Sequence, residues 1–359
     1  MSTSTLTLKE QWAQLKEERP HLRIRNAAEI LHTTEVALLA TQIDDIADNG
    51  ENKVIRLRPE FINILKEIES LGHVMALTRN DNVVHERKGT YLNGEFNNAH
   101  VGLFVGEDID LRIFFASWAS AFAVQESLKD KPRYSIQFFA NDGEAIHKIY
   151  LTPKSNEEAY HALVEKYKSE DQTPSQEYSP AKPRVTEETP DAEIDAEAFK
   201  KEWLALKDTH EFFGMLRKYK LSRIQALRLA PEGNYAVPVS NDALRKVITK
   251  AAERETPIMV FVGNKGMIQI HTGPVKKLLD HEGWFNVLDP EFNLHVKEAG
   301  IAQSWVVRKA AEGDIVTALE CFDENGEIIV QLFGKRKPGI PELQEWRDIV
   351  AEVESELKL

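Results

Sequence analysis

The chain has 359 residues, with 45 Lys and Arg against 58 Asp and Glu, for a net charge of −13. That length suits two domains, and the acidic balance disfavours nonspecific attraction to DNA as the main activity. A single cysteine, Cys321, excludes an intramolecular disulfide, a Cys-based zinc site and an iron–sulfur cluster held by this chain alone.

In chain order, Met1–Arg19 is polar and lacks the apolar core of a signal peptide. No apolar run approaches the ~18–20 residues of a membrane span, so no membrane insertion is expected. Leu8–Leu15 has helical spacing, with Ser4 or Thr7 as its cap, and His32–Thr41 predicts a second helix. From Val74 and again from Ile258 onward, alternating Val, Ile, Phe and Thr with Asn-Asp, Asn-Lys and Asn-Gly turns predict antiparallel hairpins. Ser169–Asp195 carries Pro174, Pro180, Pro183 and Pro190 among charged residues, and reads as a solvated linker. Phe199–Leu216 then predicts a long helix, Ser222–Leu229 a second, and hairpins resume at Ile258. Glu342–Leu359 is a charged, amphipathic terminal helix.

The two parts on either side of the linker match each other in order. QWAQL around Trp12 pairs with EWLAL around Trp203. Met75–Gly89 (MALTRNDNVVHERKG) pairs with Met259–Gly273 (MVFVGNKGMIQIHTG), and Ser135–Ile146 (SIQFFANDGEAI) with Ala318–Ile329 (ALECFDENGEII). Three matches at nearly constant separation imply a tandem duplication. The expected fold is α+β, a duplicated unit of helices plus antiparallel sheet. Residues 1–168 would be one repeat, 169–195 the linker and 196–359 the second repeat.

There is no GxxxxGK[ST], HExxH, GxSxG or EF-hand loop, so no nucleotide or other metal is predicted. Gly263–Gly266 matches the GxxG of an RNA-clamping loop, but the paired segment Arg79–Asn82 lacks the glycines. An ordinary turn, with Gly and Asn supplying positive φ, explains it better.

Trp203, Leu206, His210 and Phe213 are spaced 3, 4 and 3 apart, which puts His210 on an apolar helix face. Such a histidine is either a core residue bonded to a carbonyl or the axial ligand of a large apolar cofactor. Haem needs one neutral imidazole nitrogen, aromatic walls and cations for two propionates. Arg217, Lys218, Lys220 and Arg223 follow on the same helix and its exit. On Asp110–Phe115, alternation places Asp110, Arg112 and Phe114 on one face, where Arg112 either pairs with Asp110 or serves a ligand. In the last hairpin Ile329, Gln331 and Phe333 share a face, with Lys335 and Arg336 just beyond. Guanidinium groups pair carboxylates bidentately, which suits propionate recognition.

DTHEFFGMLRKYKLSR (Asp208–Arg223), DLRIFFASWASAF (Asp110–Phe122), IMVFVGNKGMIQIHTG (Ile258–Gly273), YSIQFFANDGEAIHKIY (Tyr134–Tyr150) and QLFGKR (Gln331–Arg336) are similar to one known family. The chain resembles the bacterial cytoplasmic haem-trafficking and haem-degrading proteins of the hemin-uptake systems, the HemS/ChuS type, over nearly its whole length. The resemblance implies haem b as cargo or substrate, His210 as proximal iron ligand and Arg112 on the distal side. It also implies that Phe114, Arg223, Phe261, Lys309, Gln331, Phe333 and Arg336 line the pocket. Relatives often carry Tyr where this chain has Phe333, which keeps the ring and loses the hydroxyl.

Sequence alignment of the repeats sets Arg112 against His295 and His210 against Arg19, so the axial histidine does not recur. One main haem site is therefore expected, on the second-half helix and sheet with Arg112 reaching in. His85 and His73 are the candidates for a second, weaker one. Two functions fit: a carrier that takes haem from an importer and passes it to a haem oxygenase, or an enzyme that opens the porphyrin ring, with Arg112 as the catalytic distal group. Nucleic acid is not an expected partner.

Overall fold

The computed structural model describes residues 6–51, 53–127, 131–180, 188–311, 314–336 and 340–359. Ser4 and Pro183 lie outside them. The chain forms two units: Met1–Arg79, Glu86–Lys182 and Asn264–Ile268 make unit 1, and Asn80–His85, Pro183–Gly263 and Gln269–Leu359 make unit 2.

The first half of the chain runs α1 (Leu8–Glu18), α2 (Ile24–Ile30), α3 (Glu35–Ala40), β1 (Val54–Leu57), α4 (Phe61–Glu67), β2 (Gly72–Arg79), β3 (Val83–Gly89), β4 (Gly94–Glu95), β5 (Val101–Val105), β6 (Asp110–Phe114), β7 (Trp118–Glu126), β8 (Arg133–Ala140), β9 (Ala145–Ser155) and α5 (Glu157–Tyr167). Its central antiparallel sheet has the order β1-β7-β8-β9-β2, and β4-β5-β6 form a second antiparallel set. Thr7 caps α1 with a capping box closed by Glu10, because its hydroxyl satisfies an orphan helix N–H. Ile64, Leu65, Val74, Ile136, Phe138 and Ile149 are fully buried in the main core.

The second half runs α6 (Ala196–Leu204), α7 (Glu211–Tyr219), α8 (Arg223–Arg228), β10 (Ala236–Val239), α9 (Ala243–Glu253), β11 (Ile258–Asn264), β12 (Met267–Gly273), β13 (Leu278–His281), β14 (Trp284–Leu288), β15 (Phe292–Val296), β16 (Gln303–Ala311), β17 (Asp314–Phe322), β18 (Ile328–Gly334) and α10 (Gln344–Leu357). Its sheet order β10-β16-β17-β18-β11 repeats that of unit 1, with β13-β14-β15 as the second set. This is the expected duplicated α+β fold. It departs from helices-then-strands through α4, α5 and α9, which pack on the sheets between or after the strands.

In unit 2 the strand period of two separates two cores. Val260, Val306, Leu319, Cys321 and Leu332 share a cluster with Leu244, Val247 and Ile248 of α9 and Trp346, Ile349 and Val350 of α10. Val307 and Phe322 belong to a second cluster with Phe199, Trp203, Phe212 and Met215 of α6 and α7. A β-bulge interrupts the β17–β18 ladder, where Cys321 faces Val330 but Phe322 faces Ile328. The extra residue is Ile329, and it reverses the alternation. Ile329 therefore joins the α9–α10 core and does not share a face with Gln331 and Phe333 as expected.

Both hairpin tips are Asx turns. Asn80 Oδ1 accepts from the N–H groups of Asn82 and Val83, and Asn264 Oδ1 from those of Gly266 and Met267. Neither Gly263 nor Gly266 has positive φ, contrary to expectation. A Cβ on Gly266 would lie 2.8 Å from Ile146 Cδ1 and 3.0 Å from Trp118 Nε1, so close approach rather than dihedral freedom requires this glycine. The described ends of the linker are mostly exposed, and each is tied to a unit by hydrogen bonds. Gln172 exchanges hydrogen bonds with the Arg56 backbone in unit 1, and Gln225 Nε2 donates to Thr189 O and Asp191 Oδ1 in unit 2.

Candidate functional site

The long helix expected over Phe199–Leu216 is two helices. Asp195 caps α6, whose Phe199 and Trp203 are buried edge to face at 5.7 Å. The helix ends at Leu204 because the next polar side chains capture the backbone. Glu211 Oε2 accepts from the N–H groups of Lys207 and Asp208, and Asp208 Oδ1 accepts from His210 N–H at 2.8 Å. His210 is thus the residue that enters α7, not a member of an apolar stripe. Trp203 and Leu206 are buried, whereas the His210 side chain is 84% exposed and Phe213 is 63% exposed.

This geometry removes the reading of His210 as a core histidine. Nδ1 lies 2.6 Å from Asp208 Oδ1, and Nε2 has no hydrogen-bond partner among the described residues. A carboxylate on one ring nitrogen fixes the tautomer and directs the other outward, as metal-ligating histidines are commonly held. The Asp208 carboxyl is kept below the usual carboxylate range by the His210 N–H bond, outweighing burial, with help from His210 and Arg336. Arg336 Nη2 also lies 3.5 Å from Thr209 Oγ1, which brings this expected residue beside the His210 turn. Arg217 lies over the exposed Phe213 ring at 5.6 Å.

One turn into the protein, α7 places Phe212 over a buried charge cluster. Arg223 is 5.2 Å and Lys309 4.6 Å from the Phe212 ring centre. Both cations converge on Glu320, a β17 residue with no solvent exposure. Arg223 donates to it through Nε at 2.7 Å and Nη2 at 2.6 Å, Lys309 Nζ at 2.9 Å and Gln331 Nε2 at 3.0 Å. Burial alone would raise the Glu320 carboxyl, but Arg223 and Lys309 together hold it well below the usual range. Burial pushes Lys309 down to about 8, with Glu320 opposing the shift and Arg223 adding to it. Glu320 escaped sequence reasoning, because Thr317–Phe322 reads as an ordinary strand and only the register shows a carboxylate beside Gln331.

Phe261 on β11 is the register partner of Gln331, and its ring packs 4.8 Å from Phe333. Unit 2 thus brings Arg223, Lys309 and Gln331 together, pairs Phe261 with Phe333, and sets His210 beside Arg336. Of the other expected cations, Lys218 is paired with Glu202 at 2.5 Å.

Arg112 and Phe114 belong to unit 1. Both lie on β6, opposite Leu103 and Val101, with Leu111 and Ile113 buried on the other face. Arg112 is ion-paired with Asp110, which is the plainer of its two expected roles. His73 Nδ1 lies 3.0 Å from Thr152 Oγ1. His85 is fully buried in unit 2, bonded by Gln269 and 5.0 Å from the Phe292 ring.

A family model, the haemin-degrading HemS.ChuX domain, matches residues 33–167 and again 220–353. The chain belongs to this family. Among HemS-type relatives, the hemin transport protein HemS of Yersinia enterocolitica is 37% identical over 345 residues, covering 95% of this chain and 96% of its own. The solved heme-binding protein PhuS of Pseudomonas aeruginosa, in its holo form, is 45% identical, covers 96% of this chain and 98% of its own, and superposes with a TM-score of 0.91. The heme degrading enzyme ChuS of Escherichia coli O157:H7 is 34% identical with the same coverage and a TM-score of 0.87. No helix among the described residues is long and apolar enough to cross a membrane.

Proposed function

We propose that this HemS-type chain binds haem and serves bacterial haem acquisition, receiving imported haem in the cytoplasm and passing it on for iron release. The observation that carries the reading is His210: exposed at the start of α7, with Nδ1 held by Asp208 and Nε2 directed outward. The residues around it fit haem as cargo or substrate. Phe213 offers an exposed ring, and Arg336 and Arg223 are cations suited to propionates. Phe261 and Phe333 add apolar wall, and Lys309 and Gln331 belong to the same polar cluster. Arg112 and Phe114 enter the proposal through the family resemblance.

Titration of the haem-free protein with haem is expected to give a Soret band that saturates at one haem per chain. No Soret shift sinks the proposal, and two equally tight sites refute its single-site part. A haem importer and a downstream haem oxygenase are the proposed partners.

A second reading, an enzyme that opens the porphyrin ring and frees iron, is favoured by the match to the haemin-degrading family and to ChuS. The haem-loaded protein, given a physiological electron donor and O₂ with catalase present, should then lose its Soret band and release iron. A stable Soret band under those conditions selects the carrier. In either case Arg112→Ala is expected to change the visible spectrum more than the affinity; an unchanged spectrum removes Arg112 from the site.

A further inference from the structure

We propose that Glu320 is a positioning residue, a buried carboxylate that holds the Arg223 guanidinium, the Lys309 ammonium and the Gln331 amide as one unit for the carboxylates of an incoming porphyrin. This rests on the haem-binding reading above.

The four side chains come from four elements. Arg223 opens α8, Lys309 stands on β16, Glu320 on β17 and Gln331 on β18, with the Phe212 ring of α7 over both cations. These are the charged and polar groups that face Lys309. A lone carboxylate in the middle of a sheet is costly, and hydrophobic replacement of such clusters is often neutral or stabilising. The cluster is also unbalanced: two cations surround one anion, so an excess positive charge stays under an aromatic ring. Glu320 uses Nε and Nη2 of Arg223, while Nη1 makes no hydrogen bond among the described residues. That edge of the guanidinium keeps its donors for a second carboxylate, and the Arg223 side chain is only partly buried. Glu320 thus satisfies enough of each cation to hold its rotamer and leaves net charge for the ligand.

The arrangement has a pH signature. Lys309 loses its proton near pH 8, so affinity for haem should weaken between pH 7 and 9. Without the Glu320 charge the ammonium loses its main support, and its proton leaves at lower pH. Glu320→Gln is therefore expected to weaken haem binding about 3- to 10-fold at pH 7 and to flatten the profile above it. Lys309→Arg, whose charge does not titrate, is expected to hold its affinity from pH 7 to 9.

Haem and haem dimethyl ester, which lacks free carboxylates, are titrated into wild type and both variants by Soret absorption. The proposal predicts that Glu320→Gln changes haem binding and leaves ester binding at the wild-type value. Equal haem affinity and pH profile in wild type and Glu320→Gln overturns it, and so does the same loss with the ester, which would mark a packing role. If Glu320→Gln does not fold, Glu320→Asp decides, because it keeps the charge but shortens the reach to Arg223, Lys309 and Gln331: haem and ester binding both at the wild-type value overturn the proposal. A wild-type chain that binds neither porphyrin fails the haem reading itself, a separate outcome from a variant that matches wild type.

Discussion

The strand registers place Lys148 opposite Gln137 and Leu77 in unit 1, and Gln331 opposite Glu320 and Phe261 in unit 2. These positions correspond one to one. So do the starts of the third helices, Glu35 after the Thr34 cap and Arg223 after the Ser222 cap. In unit 1 the helix supplies a carboxylate and the sheet a cation, Lys148, ion-paired with Glu35. In unit 2 the helix supplies a cation and the sheet a carboxylate. Glu126 of β7 likewise stands where Lys309 stands on β16. Helix order also sets Arg23, which enters α2, against His210, which enters α7, rather than Arg19 as sequence alignment suggested. Duplication has kept caps, registers and Asx turns, while the polar centre was rebuilt. Unit 1 carries a balanced pair; unit 2 carries excess positive charge and an imidazole in reach of solvent.

The sharpest way to break this contrast is to unbalance unit 1. Lys148→Met leaves the Glu35 carboxylate buried without its cation, and about 3–5 kcal/mol of stability should be lost. The double variant Glu35→Leu/Lys148→Met should recover most of that in denaturant titrations and bind haem as wild type does. A single-variant cost under about 1 kcal/mol would mean that the pair does not hold unit 1 together. The matching test at the helix entries expects about 100-fold weaker haem binding and an altered spectrum for His210→Ala, about tenfold weaker binding for Asp208→Asn, and no change for Arg23→Ala. Unchanged binding in His210→Ala removes it as ligand.

Local rules made much of this legible in the sequence. Caps at Thr7 and Ser222, the Asn325-Gly326 turn with positive φ at its glycine, and the duplicated hairpins all depend on neighbours along the chain. The misses depend on something else. The 3-4-3 spacing of Trp203, Leu206, His210 and Phe213 continues across a helix break, and the signal for the break lay in Asp208 and Glu211, whose carboxylates compete for backbone N–H groups. The bulge at Ile329 reversed an alternation that looked regular. Glu320 needed partners from three other elements before its role could be seen, and no local pattern encodes them.

A third contrast concerns acid. In unit 1, Tyr91 and Thr78 bond the two ring nitrogens of the buried His147, at 2.6 and 2.8 Å. The register equivalent of His147 in unit 2 is Val330, buried in an apolar core. Burial, only partly offset by a backbone bond at Leu77, holds His147 down to about 3. Its folded form stays neutral while the unfolded chain takes up a proton below about pH 6.5. Stability from this group is therefore complete above pH 6.5 and falls as pH drops toward 3, by about 1.4 kcal/mol per pH unit. His147→Gln should remove that slope from stability measured across the range. An unchanged slope would assign the acid sensitivity elsewhere.

The smallest effect is expected where the two units differ by a single hydroxyl. Tyr150 and Phe333 occupy corresponding register positions, opposite Ser135 and Ala318. In unit 1 the Tyr150 ring lies under Arg133 at 4.8 Å, and burial raises its hydroxyl. In unit 2 the position of Arg133 is taken by Val316, and Phe333 packs against Phe261 instead. Phe333→Tyr places a phenol hydroxyl on the half-buried edge of the candidate haem wall without the stacked arginine that Tyr150 has in Arg133. It should cost under about 1 kcal/mol of stability, since the hydroxyl can stay hydrated until ligand arrives. Haem affinity should change by no more than about threefold, while the pH dependence of the haem-loaded spectrum moves, because a new donor alters hydrogen bonding at the ligand. A spectrum indifferent to the hydroxyl at every pH would mean that residue 333 faces away from the porphyrin, leaving Phe261 as the aromatic wall on that side.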